Sequence, residues 1–243
     1  MTVNAESTVT RLRRPRTAAA ARVAGRDGGL PRRALLALVP ALLLAGLGRA
    51  RAADQTSLQF EVFRGQDSVG DHSITFLRDG ERLQVETRTE VQLELIGVPV
   101  YTYTHQGREV WQGPYLQSLE TQTNDDGTSH RVSGRRTDQG FSVEGSAGSF
   151  VVSAGVIPGS YWNSDLIETN ALIDVETGEL FEIVVEDRGY DIVKAADEEV
   201  RARRFRVTGE RIAHLWYDAS GLIVKMAFET RGEYIEHRLR RIV

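Results

Sequence analysis

The chain has 243 residues, with 30 basic against 34 acidic side chains and no cysteine. The lack of cysteine excludes disulfides, thiolate metal sites, thioether haem attachment and a lipidated N-terminal cysteine. The charge is unevenly placed: the first 53 residues hold 10 of the basic and 2 of the acidic groups, so residues 54–243 carry 20 against 32, a net charge of −12. A balance that acidic repels nucleic acid and anionic lipid surfaces.

The first segment reads as an export signal. Arg11, Arg13, Arg14, Arg16, Arg22, Arg26, Arg32 and Arg33 make it basic, Ala34–Gly48 is uncharged, and Ala50-Arg51-Ala52 supplies a small-x-small site. Basic, apolar and cleavage regions in that order predict a secretory signal over 1–53, cut at Ala52 and Ala53. As a helix the apolar run would reach about 22 Å, short of a bilayer's hydrocarbon core, and Pro40 weakens its middle. No stable membrane anchor is therefore expected after processing. Arg32-Arg33 before Ala34-Leu35-Leu36 has a loose twin-arginine outline, and Arg49 and Arg51 behind the run disfavour the general secretory channel. The expected address is the periplasm.

Residues 54–243 are expected to form a single domain, large enough for its own core. Period-two patterning dominates it. Leu83, Val85, Thr87, Thr89, Val91, Leu93 and Leu95 share one parity, and Arg82, Gln84, Glu86, Arg88, Glu90, Gln92 and Glu94 the other. This describes one strand with an apolar and a charged face, spanning about 43 Å and long enough to bend around a curved sheet.

Strands are predicted near 58–64, 71–77, 82–95, 99–111, 116–124, 129–136, 140–144, 149–152, 171–175, 180–186, 190–194, 199–207, 212–217, 222–229 and 233–240. Asp, Asn and Gly cluster between them, as in Arg78-Asp79-Gly80 and Asp218-Ala219-Ser220-Gly221, where hairpin turns need positive φ. Residues 156–170, broken by Pro158-Gly159, are expected to form a short helix or covering loop. The fold class is mainly β: a curved antiparallel meander closing into a barrel or remaining a half-barrel.

Chemistry is harder to find. His72, His105, His130, His214 and His237 show no metal-ligand spacing, and neither a nucleophile elbow nor a phosphate loop is present. No cofactor or metal is expected. An enzyme would need His72, His130 and His214 to converge with carboxylates, and their spacing gives no sign of it. The aromatics carry more information. Tyr101 and Tyr103 share a strand face, Trp111 ends that strand, Tyr161-Trp162 sit in the irregular stretch, and Trp216 precedes a turn. At the mouth of a curved sheet such residues line a cavity for an apolar ligand or fill the core.

Three stretches resemble a known family. Val69-Gly70-Asp71-His72-Ser73-Ile74-Thr75-Phe76 is similar to its "G-x-H-x-I-x-F" strand. Trp162-Asn163, followed by Asp174 and Thr177-Gly178, is similar to its "H-W-N … D … T-G" segment, with Tyr161 where that family often has histidine. Leu215-Trp216-Tyr217-Asp218-Ala219-Ser220-Gly221 is similar to its "L-W-Y-D-x-x-G" hairpin. The family is one of uncharacterised exported proteobacterial proteins, a domain of unknown function, distantly similar to the lipoprotein-carrier half-barrel. The resemblance implies fold and compartment over most of 58–240 and no activity. Two functions stay open beside an enzyme: binding of a lipid or other hydrophobic small molecule, or contact with an envelope protein through a strand edge or the 156–167 loop.

Overall fold

The alternation over 82–95 becomes a strand of those residues, and its neighbours follow by short hairpins. The computed structural model describes residues 54–146, 148–230 and 232–243. The expected export signal, with Ala52 and Ala53, lies outside the described residues.

The N-terminal half holds β1 (Asp54–Arg64), β2 (Asp67–Asp79), β3 (Arg82–Leu95), β4 (Val98–Gln112), β5 (Tyr115–Asp125), β6 (Thr128–Thr137), β7 (Gly140–Gly145) and β8 (Gly148–Val152). After β9 (Ile157–Pro158), a 3₁₀ turn (Ser164–Glu168) and β10 (Ala171–Ile173) come β11 (Leu180–Ala195), β12 (Glu198–Gly209), β13 (Ile212–Tyr217), β14 (Ile223–Thr230) and β15 (Glu233–Ile242). All join one curved sheet in the order β8-β7-β6-β5-β4-β3-β2-β1-β15-β14-β13-β12-β11-β10-β9. Pairing is antiparallel except between β9 and β10. The sheet is open, with β8 and β9 as its edges.

In the middle β1 pairs with β15, placing Phe60 opposite Leu239 and Val62 opposite His237. The expected break between two strands over 180–194 is instead a bulge inside one strand. Gly189, at φ +81°, absorbs it, and the register of β11 on β12 shifts between Asp187 and Tyr190. Arg188-Gly189 has the composition of a turn, but the pairing with β12 continues on both sides of it.

The apolar parity of the strands makes one inner face. Leu58, Phe60 and Val62 of β1, Ile74 of β2, Val85 of β3, Leu119 of β5, and Phe205, Leu215 and Met226 of β12–β14 are all buried there. Residues 153–179 cross this face as a strap. Asn163 caps the 3₁₀ turn by accepting from the Asp165 N–H at 3.0 Å, and Leu166 is fully buried beneath it. At its far end the strap meets β7: Ser146 N–H donates to Thr177 O at 2.7 Å. A side chain at Gly145 would sit 2.3 Å from that same oxygen, so glycine is required for the approach.

Candidate functional site

Five adjacent strands, β2 to β6, bring polar side chains onto the inner face in a single row. His72 lies between Phe60 and Thr89, Thr89 opposite His105, His105 opposite Thr123, and Thr123 opposite His130. His72 Nδ1 is 2.7 Å from Thr89 Oγ1, and His105 Nδ1 is 2.8 Å from Thr123 Oγ1. His237 of β15 meets the row edge-on, 5.1 Å from His72 between ring centres, while Phe60 and Phe228 pack beside the two imidazoles. One row deeper stand Thr87, Gly107 and Thr121. A Cβ on Gly107 would come within 2.5 Å of Thr87 Oγ1 and 3.3 Å of His105 Nε2, so the missing side chain keeps this neighbourhood open to the imidazole.

Burial decides the protonation of these rings, because removing a cation from water is costly. It pushes His105 and His237 down to about 4. It also holds His72 well below the ordinary imidazole value, with repulsion from His237 and His105 adding to the effect. All three are neutral at pH 7. Two of their nitrogens, His72 Nε2 and His237 Nδ1, are buried with no hydrogen-bond partner. Buried polar atoms in native proteins are overwhelmingly paired, and each orphan costs about 1–3 kcal/mol.

Further along the same face, Glu109 of β4 is buried to 2% exposure. Its Oε2 accepts from the indole N–H of Trp111 at 2.8 Å and of Trp162 at 3.0 Å. Burial pushes the carboxyl pKa up, while hydrogen bonds from Ser160, Trp111 and Trp162 pull it back. The two indoles meet edge-on at 5.6 Å, and Phe76 stands 5.5 Å from Trp162. Trp162 is thereby turned inward, so this carboxyl ties the strap to the sheet.

Of the six aromatics picked out by sequence, five lie on this face or on the strap. Tyr101 donates to Asp125 Oδ1 at 2.7 Å. Tyr103 has its hydroxyl pKa raised by burial, Glu176 adding to the rise. Tyr161, at φ +60°, packs 5.3 Å from Phe228 and offers its carbonyl to the Tyr217 hydroxyl at 2.8 Å. Burial raises the Tyr161 hydroxyl to about 12. Trp216 is the sixth. It faces away, its indole N–H on Asp191 at 2.8 Å and its ring between Arg204 (5.0 Å) and Lys225 (4.8 Å).

The three histidines an enzyme would need stay apart. His72 is on the inner face, while His214 is beside Trp216 on the outer one, bonded to Glu229 at 3.0 Å and Arg204 at 3.2 Å. His130 ends the row, 3.3 Å from Ser146. No group of three or more His, Asp or Glu side chains among the described residues could hold a metal ion. Two open hollows of about 390 and 450 Å³ lie along the charged parity of the strands. Gln106, Gln122 and Asn124 line the first, and Glu86, Arg88 and Arg108 the second.

The residues that sequence reading passed over are Thr89, His105, Glu109 and Thr123 as a group, together with His237. Their signal was parity: Tyr103, His105, Glu109 and Trp111 alternate onto one face.

A family model for a domain of unknown function, DUF6134, matches residues 60–240. The chain belongs to the DUF6134 family. No curated protein matches it. Among solved structures it is similar to the β-barrel-like protein of domain DUF1849 from Brucella abortus, at 8% identity and a TM-score of 0.56. That likeness covers 79% of this chain and 98% of the other, and it is a likeness of fold.

Within this DUF6134 domain the three motifs reach the strap or its neighbours, although Trp216 of the third faces away. His72 and Phe76 of the first motif touch the row and the strap. Asp174 of the second accepts from the Thr177 N–H (3.0 Å) and hydroxyl (2.8 Å), and from Arg211 at 3.3 Å. In the third, Asp218 Oδ1 fixes the turn by accepting from the N–H groups of Ser220 (2.8 Å) and Leu222 (3.0 Å). Gly221, at φ +81°, passes so close to the strap that a Cβ there would lie 2.9 Å from Ser164 Oγ.

Proposed function

We propose that this DUF6134 protein is exported to the periplasm and binds a small, uncharged amphipathic molecule on the inner face of its sheet. The observation that carries the reading is the pair of orphaned imidazole nitrogens, His72 Nε2 and His237 Nδ1, on rings 5.1 Å apart. A neutral imidazole both donates and accepts, and it offers no countercharge. An ester, alcohol, amide or protonated acid therefore suits it better than a carboxylate or phosphate. Phe228, Tyr101 and Tyr103, all half-buried, supply apolar surface for a hydrocarbon portion. The distant resemblance to the lipoprotein-carrier half-barrel accords with an acyl chain, and the basic leader followed by an apolar run supports the periplasmic address.

Native mass spectrometry of the protein purified from cells tests this. The wild type is expected to carry a non-covalent adduct that His72→Phe loses while keeping its β-sheet circular dichroism. A wild type with no adduct, or a variant that holds it at equal occupancy, overturns the reading.

A further inference from the structure

The β3–β4 hairpin runs past its neighbours. The last residue of β3 paired to β2 is Val91, opposite Gly70, and the last of β4 paired to β5 is Tyr103, opposite Asp125. Beyond them the Asp126 N–H still donates to Thr102 O at 2.8 Å and the Tyr101 hydroxyl to Asp125. Past these contacts the two strands run on as a ribbon unpaired to β2 or β5, with Leu93 opposite Tyr101 and Leu95 opposite Val98. From Val91 to Ile96 it projects about 16 Å at strand rise.

Its tip is apolar and wet. Ile96 is 96% exposed, Leu95 64%, Val98 61% and Val100 53%. Glu94 is the one charged residue between Val91 and Thr104. The tip is also strained. Ile96 and Gly97 have φ of +53° and +74°, so a β-branched residue occupies a position where a two-residue hairpin favours Asn or Asp. The Asp126-Gly127 turn of the same protein uses the usual residues. Strain of this kind persists at functional sites.

We propose that this tip docks the protein reversibly on a phospholipid bilayer surface. Three features favour a bilayer over a protein groove. Apolar side chains leave both faces of the ribbon, Tyr101 on one and Val100 on the other, whereas a groove or an added strand reads one face or one edge. Tyr101 stands just behind the tip, where an amphipathic ring favours the headgroup level. The ribbon carries no cation, so apolar burial drives attachment and zwitterionic lipid suffices. Depth is limited: a two-stranded ribbon has unpaired edge N–H and C=O groups, and these cannot enter hydrocarbon. Only the tip side chains submerge, to about the 5–10 Å typical of interfacial segments. This docking stands independently of the ligand reading.

The absence of cysteine makes the test clean. The full chain is labelled with an environment-sensitive fluorophore at Ile96→Cys or, on the exposed part of β11, at Ile192→Cys, and mixed with phosphatidylcholine vesicles. Emission at 96 is expected to shift to the blue and brighten, with 192 unchanged. High salt should leave the response to phosphatidylcholine as it was, and added phosphatidylglycerol should weaken rather than strengthen it, since the acidic domain is repelled by anionic lipid. Read from a label at Val98→Cys, Ile96→Asn should lower partitioning about tenfold, since one fully buried aliphatic side chain is worth that much. No shift at 96, an equal shift at 192, or a shift at 96 on raising protein concentration without vesicles would each overturn the proposal, the last by showing that a second copy covers the tip.

Discussion

One face of one sheet is built in two ways. Across β12, β13 and β14 the inner face is hydrocarbon: Phe205, Val207, Ala213, Leu215 and Met226 are all buried. Across β2, β3, β4 and β5 it carries a buried layer of His72, Thr87, Thr89, His105, Glu109, Thr121 and Thr123. The first half stabilises the fold by removing apolar area from water, at about 25 cal/mol per Å². The second half holds polar groups that gain little net free energy when paired and lose much when orphaned. Two buried imidazole nitrogens without partners, His72 Nε2 in the polar half and His237 Nδ1 on the neighbouring β15, are the groups that the proposed ligand would satisfy.

The largest effect that separates the halves is a cavity in the apolar one. Leu215 is fully buried, and Leu215→Ala should cost about 2–5 kcal/mol in urea denaturation at any pH where the fold persists. A loss under 1 kcal/mol would mean that β13 is not part of the supporting core.

Acid should act on the polar half instead. His105 and His237 have pKa values near 4 in the fold, against about 6.5 when unfolded. Between those values the unfolded chain binds more protons, so stability is full above pH 6.5 and falls as pH drops toward 4. Glu109, raised by burial, opposes this, because above the ordinary carboxylate range its proton favours the fold. Net, moving from pH 7 to pH 5 should remove about 2–4 kcal/mol. His237→Phe should make the profile shallower, and an unchanged slope would show that His237 is not buried neutral.

How much of this was legible depended on which signals are local. Strand β3 was readable to its ends because its two parities differ sharply in chemistry. The hairpins were readable because Asp and Gly mark them. Strand β13 was not orientable: Ala213, Leu215 and Tyr217 on one parity look as apolar as Ile212 and Trp216 on the other, which is why Trp216 was grouped with aromatics it does not face. The polar row was hidden for a different reason. Threonine is a good strand former, so Thr87 and Thr89 counted toward an apolar face. The His–Thr pairs appear only when register sets His72 beside Thr89 and His105 beside Thr123, relations that no single strand's sequence contains. Glu109 was lost among many surface carboxylates, although its parity with Trp111 set it apart.

The smallest effect sharpens the same contrast inside the polar half. Thr89→Val strands His72 Nδ1 and should cost about 1–3 kcal/mol, whereas adding His72→Phe to it should recover most of that loss. A double variant no better than Thr89→Val would mean that the pair is held by something other than its hydrogen bond.

Thermal unfolding checks the proposal that the polar half is a ligand seat. The protein as purified from cells is compared with the same protein refolded after extraction with organic solvent. The extracted wild type is expected to have a lower midpoint, because a ligand that binds only the fold stabilises it. The two preparations of the His72→Phe, His237→Phe double variant are expected not to differ. Equal midpoints for the two wild-type preparations would contradict the proposal.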